Sequence, residues 1–135
     1  SARLAEMLSF SLQGTGIPSF AWIDSRVSNL PEDFVHADDA AIGISHSGTN
    51  EKVAELLTQA RSNGAVTIAL TNYPSSIVGN SAEYVLRTGI WEDSFQMLEF
   101  LPRIAELLIL SCFVQQVKKH KSADSDLSSS EQADE

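Results

Sequence analysis

The chain has 135 residues, 43% of them hydrophobic, and a formal net charge of −9. That is enough apolar material for one core and too little length for two domains. No run approaches the ~20 apolar residues that span a bilayer, and no basic-plus-apolar leader opens the chain. The acidic balance argues against direct nucleic-acid contact by this segment, because phosphate backbones are bound by clustered Lys and Arg. Cys112 is the only cysteine, so an intrachain disulfide is excluded and a reducing cytoplasm is the expected compartment.

In chain order, Ser1–Gly14 reads as a first helix, and Gly16–Ile23 as the strand after it, with Trp22 packed rather than stacked on a ligand. Ser25–Phe34 is polar and interrupted by Pro31, which predicts a loop or short helix. A short apolar run, Ala40–Ile44, then stops at Ser45-His46-Ser47-Gly48-Thr49-Asn50 and passes directly into a helix. This helix carries Val53, Leu56, Leu57 and Ala60 at i, i+3, i+4, i+7, one buried stripe, and ends at Asn63-Gly64. Val66–Thr71 is rich in β-formers and is broken by Asn72-Tyr73-Pro74. A helical segment near Ser75–Ser81 leads to a third apolar strand, Tyr84–Thr88. Alternating strands and helices predict an α/β fold with a parallel sheet and helices on both faces.

The turn at 45–50 is the candidate site. A helix N-terminus carries partial positive charge and unsatisfied N–H groups, so it suits an anion. Gly48 allows close backbone approach, while Ser45 and Ser47 supply hydroxyl donors. Plain helix capping by Ser and Asn explains the same residues without a ligand. His46 suits either donation to phosphate or acid/base work, or it is an exposed turn residue at a variable position. Ser75 and Ser76 suit either the site mouth or a helix cap. No His/Cys/Asp/Glu group has metal-ligand spacing, so neither metal nor cofactor is expected.

The last third divides in two. Glu92–Lys119 carries Phe95, Leu98, Leu101, Ala105, Leu108, Cys112 and Phe113, more apolar surface than one sheet face needs, which points to a subunit interface. Pro102 should kink it or divide it into two helices, and Glu106 and Ser111 interrupt the longest apolar stretch, Ile104–Val114. Cys112 is expected as a buried packing residue. The tail 120–135 holds roughly half of the net charge, in Asp124, Asp126, Glu131, Asp134 and Glu135 against Lys121. Its Ser- and acid-rich composition predicts disorder.

The order Ile-Ser-X-Ser-Gly, amphipathic helix, Asn-Gly-Ala, Val-Thr-Ile-Ala-Leu-Thr-Asn-X-Pro-Ser-Ser and Ala-Glu-Tyr-Val-Leu resembles the SIS (sugar isomerase) domain over Ser1 to about Val117. The resemblance implies a flavodoxin-like three-layer α/β/α sandwich, residues 1–119 as a phosphosugar-binding domain, and assembly as a homo-dimer or tetramer. It places a sugar phosphate at Ser1, Ser45, His46, Ser47, Gly48, Thr49 and Asn50. Arg103-Ile104-Ala105 followed by Leu107–Leu110 and Phe113-Val114 is similar to the closing helix of RpiR-type transcriptional regulators. That second resemblance implies a sensor whose DNA-binding domain lies upstream.

Two departures accompany it. The family's Ser-X-Ser-Gly-X-Thr turn has Asn50 at the Thr position, and Ser1 matches the end of a glycine turn whose preceding strand is missing here. A chain that is part of a longer protein is the expectation, with a smaller four-stranded fold as the alternative. The functional alternative is an aldose–ketose isomerase, which needs a base near the first two sugar carbons. Glu51 and Glu55 are the carboxylates nearest the turn. A SIS-like scaffold without a ligand is the third reading.

Overall fold

The structure is a computed structural model that describes residues 2–23, 31–91 and 100–133. Seven elements follow one another: α1 (Ala2–Gln13), β1 (Ala40–Ile44), α2 (Glu51–Ser62), β2 (Val66–Thr71), α3 (Ile77–Ser81), β3 (Tyr84–Arg87) and α4 (Leu101–Ala133). The strands form one parallel sheet in the order β1-β2-β3, with Ile42 opposite Ile68, Ile44 opposite Leu70, and Leu70 opposite Leu86. The parallel pairing needs a crossover between each pair of strands, and α2 and α3 supply the two.

Each sheet face has its own core. On one, Leu4, Leu8 and Leu12 of α1 and Leu110 and Val114 of α4 meet Ile44 and Leu70. On the other, Leu57 of α2 and Val78 of α3 meet Ala69 and Ala82. Full burial of one such Leu contributes about 1.5–3 kcal/mol, so these layers carry most of the favourable energy. The result is the three-layer α/β/α arrangement that the alternation predicts. Gly43 sets the fit of α2: a Cβ there would lie 2.7 Å from both Leu57 Cδ1 and Val53 Cγ1, so a larger residue would push those side chains out of place.

Three expectations are corrected. Residues 17–23 form no strand. Among the described residues no strand lies beside them, Pro18 has no N–H to give a ladder, and the Ser19 carbonyl is taken by Ser9 Oγ (2.9 Å) and Gln13 Nε2 (2.7 Å). Trp22 is nonetheless packed, edge-on to Phe34 with ring centroids 4.8 Å apart. Pro102 stands in the first turn of α4, where its missing N–H has no intrahelical acceptor, and residues 92–99, the part of the segment it was expected to set off, lie outside the described residues. Cys112 is exposed rather than buried, lying off the face formed by Glu106, Leu110 and Val114. Finally, α4 stays helical to Ala133 through the stretch whose composition predicts disorder. Extending a formed helix costs far less than nucleating one, and the Ser125, Ser128, Ser129 and Ser130 hydroxyls bond back to carbonyls three or four residues earlier.

Among the described residues no helix is long and apolar enough to cross a membrane. Ser1, most of the loop before Pro31, and Phe95 and Leu98 of the apolar segment lie outside the described residues.

Candidate functional site

The turn after β1 is built by the strand that delivers it and the two loops that brace it. The Ser45 N–H continues the ladder, donating to Leu70 O at 3.0 Å, and the Ser45 carbonyl accepts from Gly48 N–H at 3.1 Å, which closes the turn. The His46 carbonyl is taken twice, by Asn72 N–H (3.0 Å) and by Thr71 Oγ1 (3.1 Å). The Gly48 carbonyl accepts from Val78 N–H at 3.0 Å, so the start of α3 also grips the turn. Gly48 has φ +70°, and a Cβ there would fall on the Ser76 hydroxyl. Glycine is therefore required twice over, by its torsion angle and by contact.

Side chains then distribute by role. Ser45 is buried beneath the turn, whereas Ser47 and Thr49 are exposed with their hydroxyls 2.9 Å apart. Asn50 is the N-cap of α2, its Oδ1 accepting from Val53 N–H at 3.2 Å. The first intrahelical bond runs from Ala54 N–H to the Asn50 carbonyl. The N–H groups of Asn50, Glu51 and Lys52 thus precede the ladder and stand where an anion finds donors. His46 is half-buried, its ring edge-on to Tyr73 at 6.3 Å. Residues 45–50 accordingly come together on one turn, while Ser1 lies outside the described residues.

Residues beyond the turn also shape this edge. Asn72, 4% exposed, holds the loop after β3 with both ends of its amide. Its Nδ2 donates to Ile90 O, and its Oδ1 accepts from Ile90 N–H and Thr88 Oγ1, all at 2.9 Å. Thr71 Oγ1, besides donating to His46 O, accepts from Tyr73 N–H at 3.2 Å. Ser76 caps α3 by accepting from Gly79 N–H at 3.2 Å, the capping role open to it from sequence. Asn72 and Thr71 were visible in sequence only as the Thr-Asn-X-Pro signature, whose bracing role depends on partners 16 to 25 residues away.

Other candidates fall away. A groove along the outer face of α2 is lined by Glu32, Glu51 and Glu55 among others, a charge set that repels phosphate. Glu51 and Glu55 are both exposed. His36 is an exposed side chain 3.5 Å from Asp39, and His120 is exposed on α4. No metal-ligating group of three His, Cys, Asp or Glu side chains occurs among the described residues.

The comparisons with known proteins agree with this fold. The SIS domain family matches residues 7–101. The chain belongs to the SIS domain family. It is 30% identical over 118 residues to an uncharacterised HTH-type transcriptional regulator of Caldanaerobacter subterraneus, an alignment covering 87% of this chain and 41% of that protein. The fold is similar to Vibrio vulnificus NanR complexed with ManNAc-6P (TM-score 0.76, 17% identity, 98% of this chain and 50% of that one). It is also similar to the sugar isomerase domain of an RpiR transcription factor from Sphaerobacter thermophilus (TM-score 0.60, 23% identity, 92% and 69%). The chain thus spans less than half the length of the curated regulator it matches.

Proposed function

We propose that this SIS domain is the effector-sensing part of a transcriptional regulator and that it binds a sugar phosphate at residues 45–50. The observation that carries the reading is the turn itself: a hydroxyl-bearing loop braced by three backbone contacts, opening onto the unsatisfied N–H groups of α2. Such a turn pays little reorganisation cost when a phosphate arrives. Ser47 and Thr49 donate hydroxyls, Asn50 donates its Nδ2 while its Oδ1 stays on the cap, and Gly48 presents backbone. A regulator of this kind works in the cytoplasm, and the similarity to an HTH-type regulator supports a DNA-binding segment elsewhere in the protein. This segment itself makes no nucleic-acid contact.

The domain acts as a homo-oligomer. Phe100, just before α4, and Ile104 and Leu108 on it repeat every four residues and are 71%, 59% and 65% exposed, a stripe along one side of the helix. An apolar stripe of this size on a surface is covered in a stable state, and a second copy, presenting the same stripe, is its natural partner.

Sensing and isomerisation are separated by following a sugar-phosphate panel with the protein by NMR. A sensor binds and returns the sugar unchanged. Conversion to the keto isomer would make the domain an enzyme instead, and Glu51 and Glu55 would be the first bases to replace.

A further inference from the structure

Glu106 is a charged-type residue with no exposure at all, in the middle of an otherwise apolar helix face. Its Oε2 accepts from Arg103 Nη1 at 2.8 Å, but Arg103 is half-exposed, and Oε1 has no hydrogen-bond partner among the described residues. A buried carboxyl oxygen without a donor is costly, on the order of 1–3 kcal/mol or more. A feature of that cost calls for a donor that arrives from elsewhere.

Its position says what arrives. Glu106, Leu110 and Val114 share one face of α4, and Leu110 belongs to the same cluster as Ile44 and Leu70, the residues that deliver the chain to Ser45 and Thr71. Lys121 Nζ donates to Thr15 O at 2.8 Å, just past the end of α1, while Leu110 and Val114 cluster with Leu4, Leu8 and Leu12. The two helices therefore run in the same direction, and the first turns of α4 stand beside the start of α1. Strand β3 brings the chain to the edge that holds Ser45, where Ile90 is tied to Asn72, and a helix that follows such a strand runs back along the sheet. Glu106 then lies one helical turn, about 5.4 Å, from Leu110 toward the edge where the phosphate turn opens.

We infer that Glu106 is a ligand-binding residue, its Oε1 accepting a hydrogen bond from a hydroxyl or amide N–H on the sugar portion of the phosphosugar. The inference rests on the phosphosugar reading of the turn and adds to it. The turn takes the phosphate, Glu106 takes the sugar, and Arg103 holds the carboxyl in place. The carboxyl selects for a ligand that carries a hydrogen-bond donor on its sugar portion, so inorganic phosphate gains nothing from it. It also ties ligand occupancy to α4, the helix that exposes the apolar stripe.

The test is calorimetric titration of the chain with ManNAc-6P, arabinose 5-phosphate, glucose 6-phosphate and inorganic phosphate, repeated on Glu106→Gln. Arg103 requires an acceptor, so it draws the amide oxygen and turns the NH2 group to where Oε1 stood, opposing a ligand donor. The bound sugar phosphate should weaken tenfold or more, with inorganic phosphate held within twofold. Equal weakening of both, or of neither, overturns the assignment. In the unsubstituted chain the Glu106 carboxyl 13C resonance should move on addition of that sugar phosphate and stay still with inorganic phosphate. A resonance that ignores the sugar phosphate overturns the assignment even where Glu106→Gln fails to fold. If Ser45→Ala/Ser47→Ala abolishes sugar-phosphate binding while Glu106→Gln leaves it intact, Glu106 alone is excluded. If the unsubstituted chain binds none of the sugar phosphates, the reading of the turn falls first and Glu106 with it.

Discussion

The Gly48 carbonyl accepts from Val78 N–H at 3.0 Å, and the missing side chain of Gly48 is what leaves room for that contact beside Ser76. Gly48→Ala adds a methyl group onto the Ser76 hydroxyl and forces a non-glycine residue to φ +70°. The left-handed region alone costs about 1–2 kcal/mol, and the clash adds to it. Urea denaturation should show a loss of at least about 2 kcal/mol, and phosphate binding should disappear because α3 can no longer grip the turn.

Asn72 predicts a second, purely structural effect. Asn72→Ala removes three hydrogen bonds and strands Ile90 N–H and Ile90 O without their partner. Unsatisfied groups of this kind cost about 1–3 kcal/mol each when buried. A net loss of about 2–3 kcal/mol by chemical denaturation is expected.

Asn50 separates capping from binding. Asn50→Ala loses the bond to Val53 N–H and should cost about 1 kcal/mol of stability. Asn50→Asp keeps an acceptor for the cap, so stability should stay within about 0.5 kcal/mol. It also puts a carboxylate where a phosphate docks, so sugar-phosphate affinity should fall at least tenfold. A variant that binds as tightly as the original would show that Asn50 stands away from the ligand.

The exposed end of α4 makes a spectroscopic prediction. Cutting the chain after Lys121 preserves its bond to Thr15, and all the described residues it removes, 122–133, are exposed. Helical circular dichroism should drop while the denaturation midpoint barely moves. An unchanged helical signal would mean that the last stretch is not helical in solution.

These elements show what periodicity and composition can and cannot read. The helix with Val53, Leu57 and Ala60 and the strand Val66–Thr71 were legible because each buries a face whose spacing is written in the chain. The segment 17–23 has strand-like composition, but a strand exists only beside a neighbour, and that is a tertiary fact. The end of α4 was missed because composition scores a segment as though it stood alone, whereas here it propagates from a packed helix. Glu106 was visible only as a charge interrupting Ile104–Val114, and nothing local says that it is wholly buried. The path of the turn at 45–50 was legible because strand, hydroxyls, glycine and helix cap are consecutive in sequence, whereas its bracing by Thr71, Asn72 and Val78 was not.

Binding of a sugar phosphate at that turn is the central claim. Calorimetric titration of the chain and of Ser45→Ala/Ser47→Ala with the same panel, each member beside its unphosphorylated sugar, tests it most directly. The account predicts saturable binding of at least one sugar phosphate, none of its free sugar, and a loss of a hundredfold or more in the double variant. Equal binding by a correctly folded double variant, or equal affinity for sugar and sugar phosphate, would contradict it.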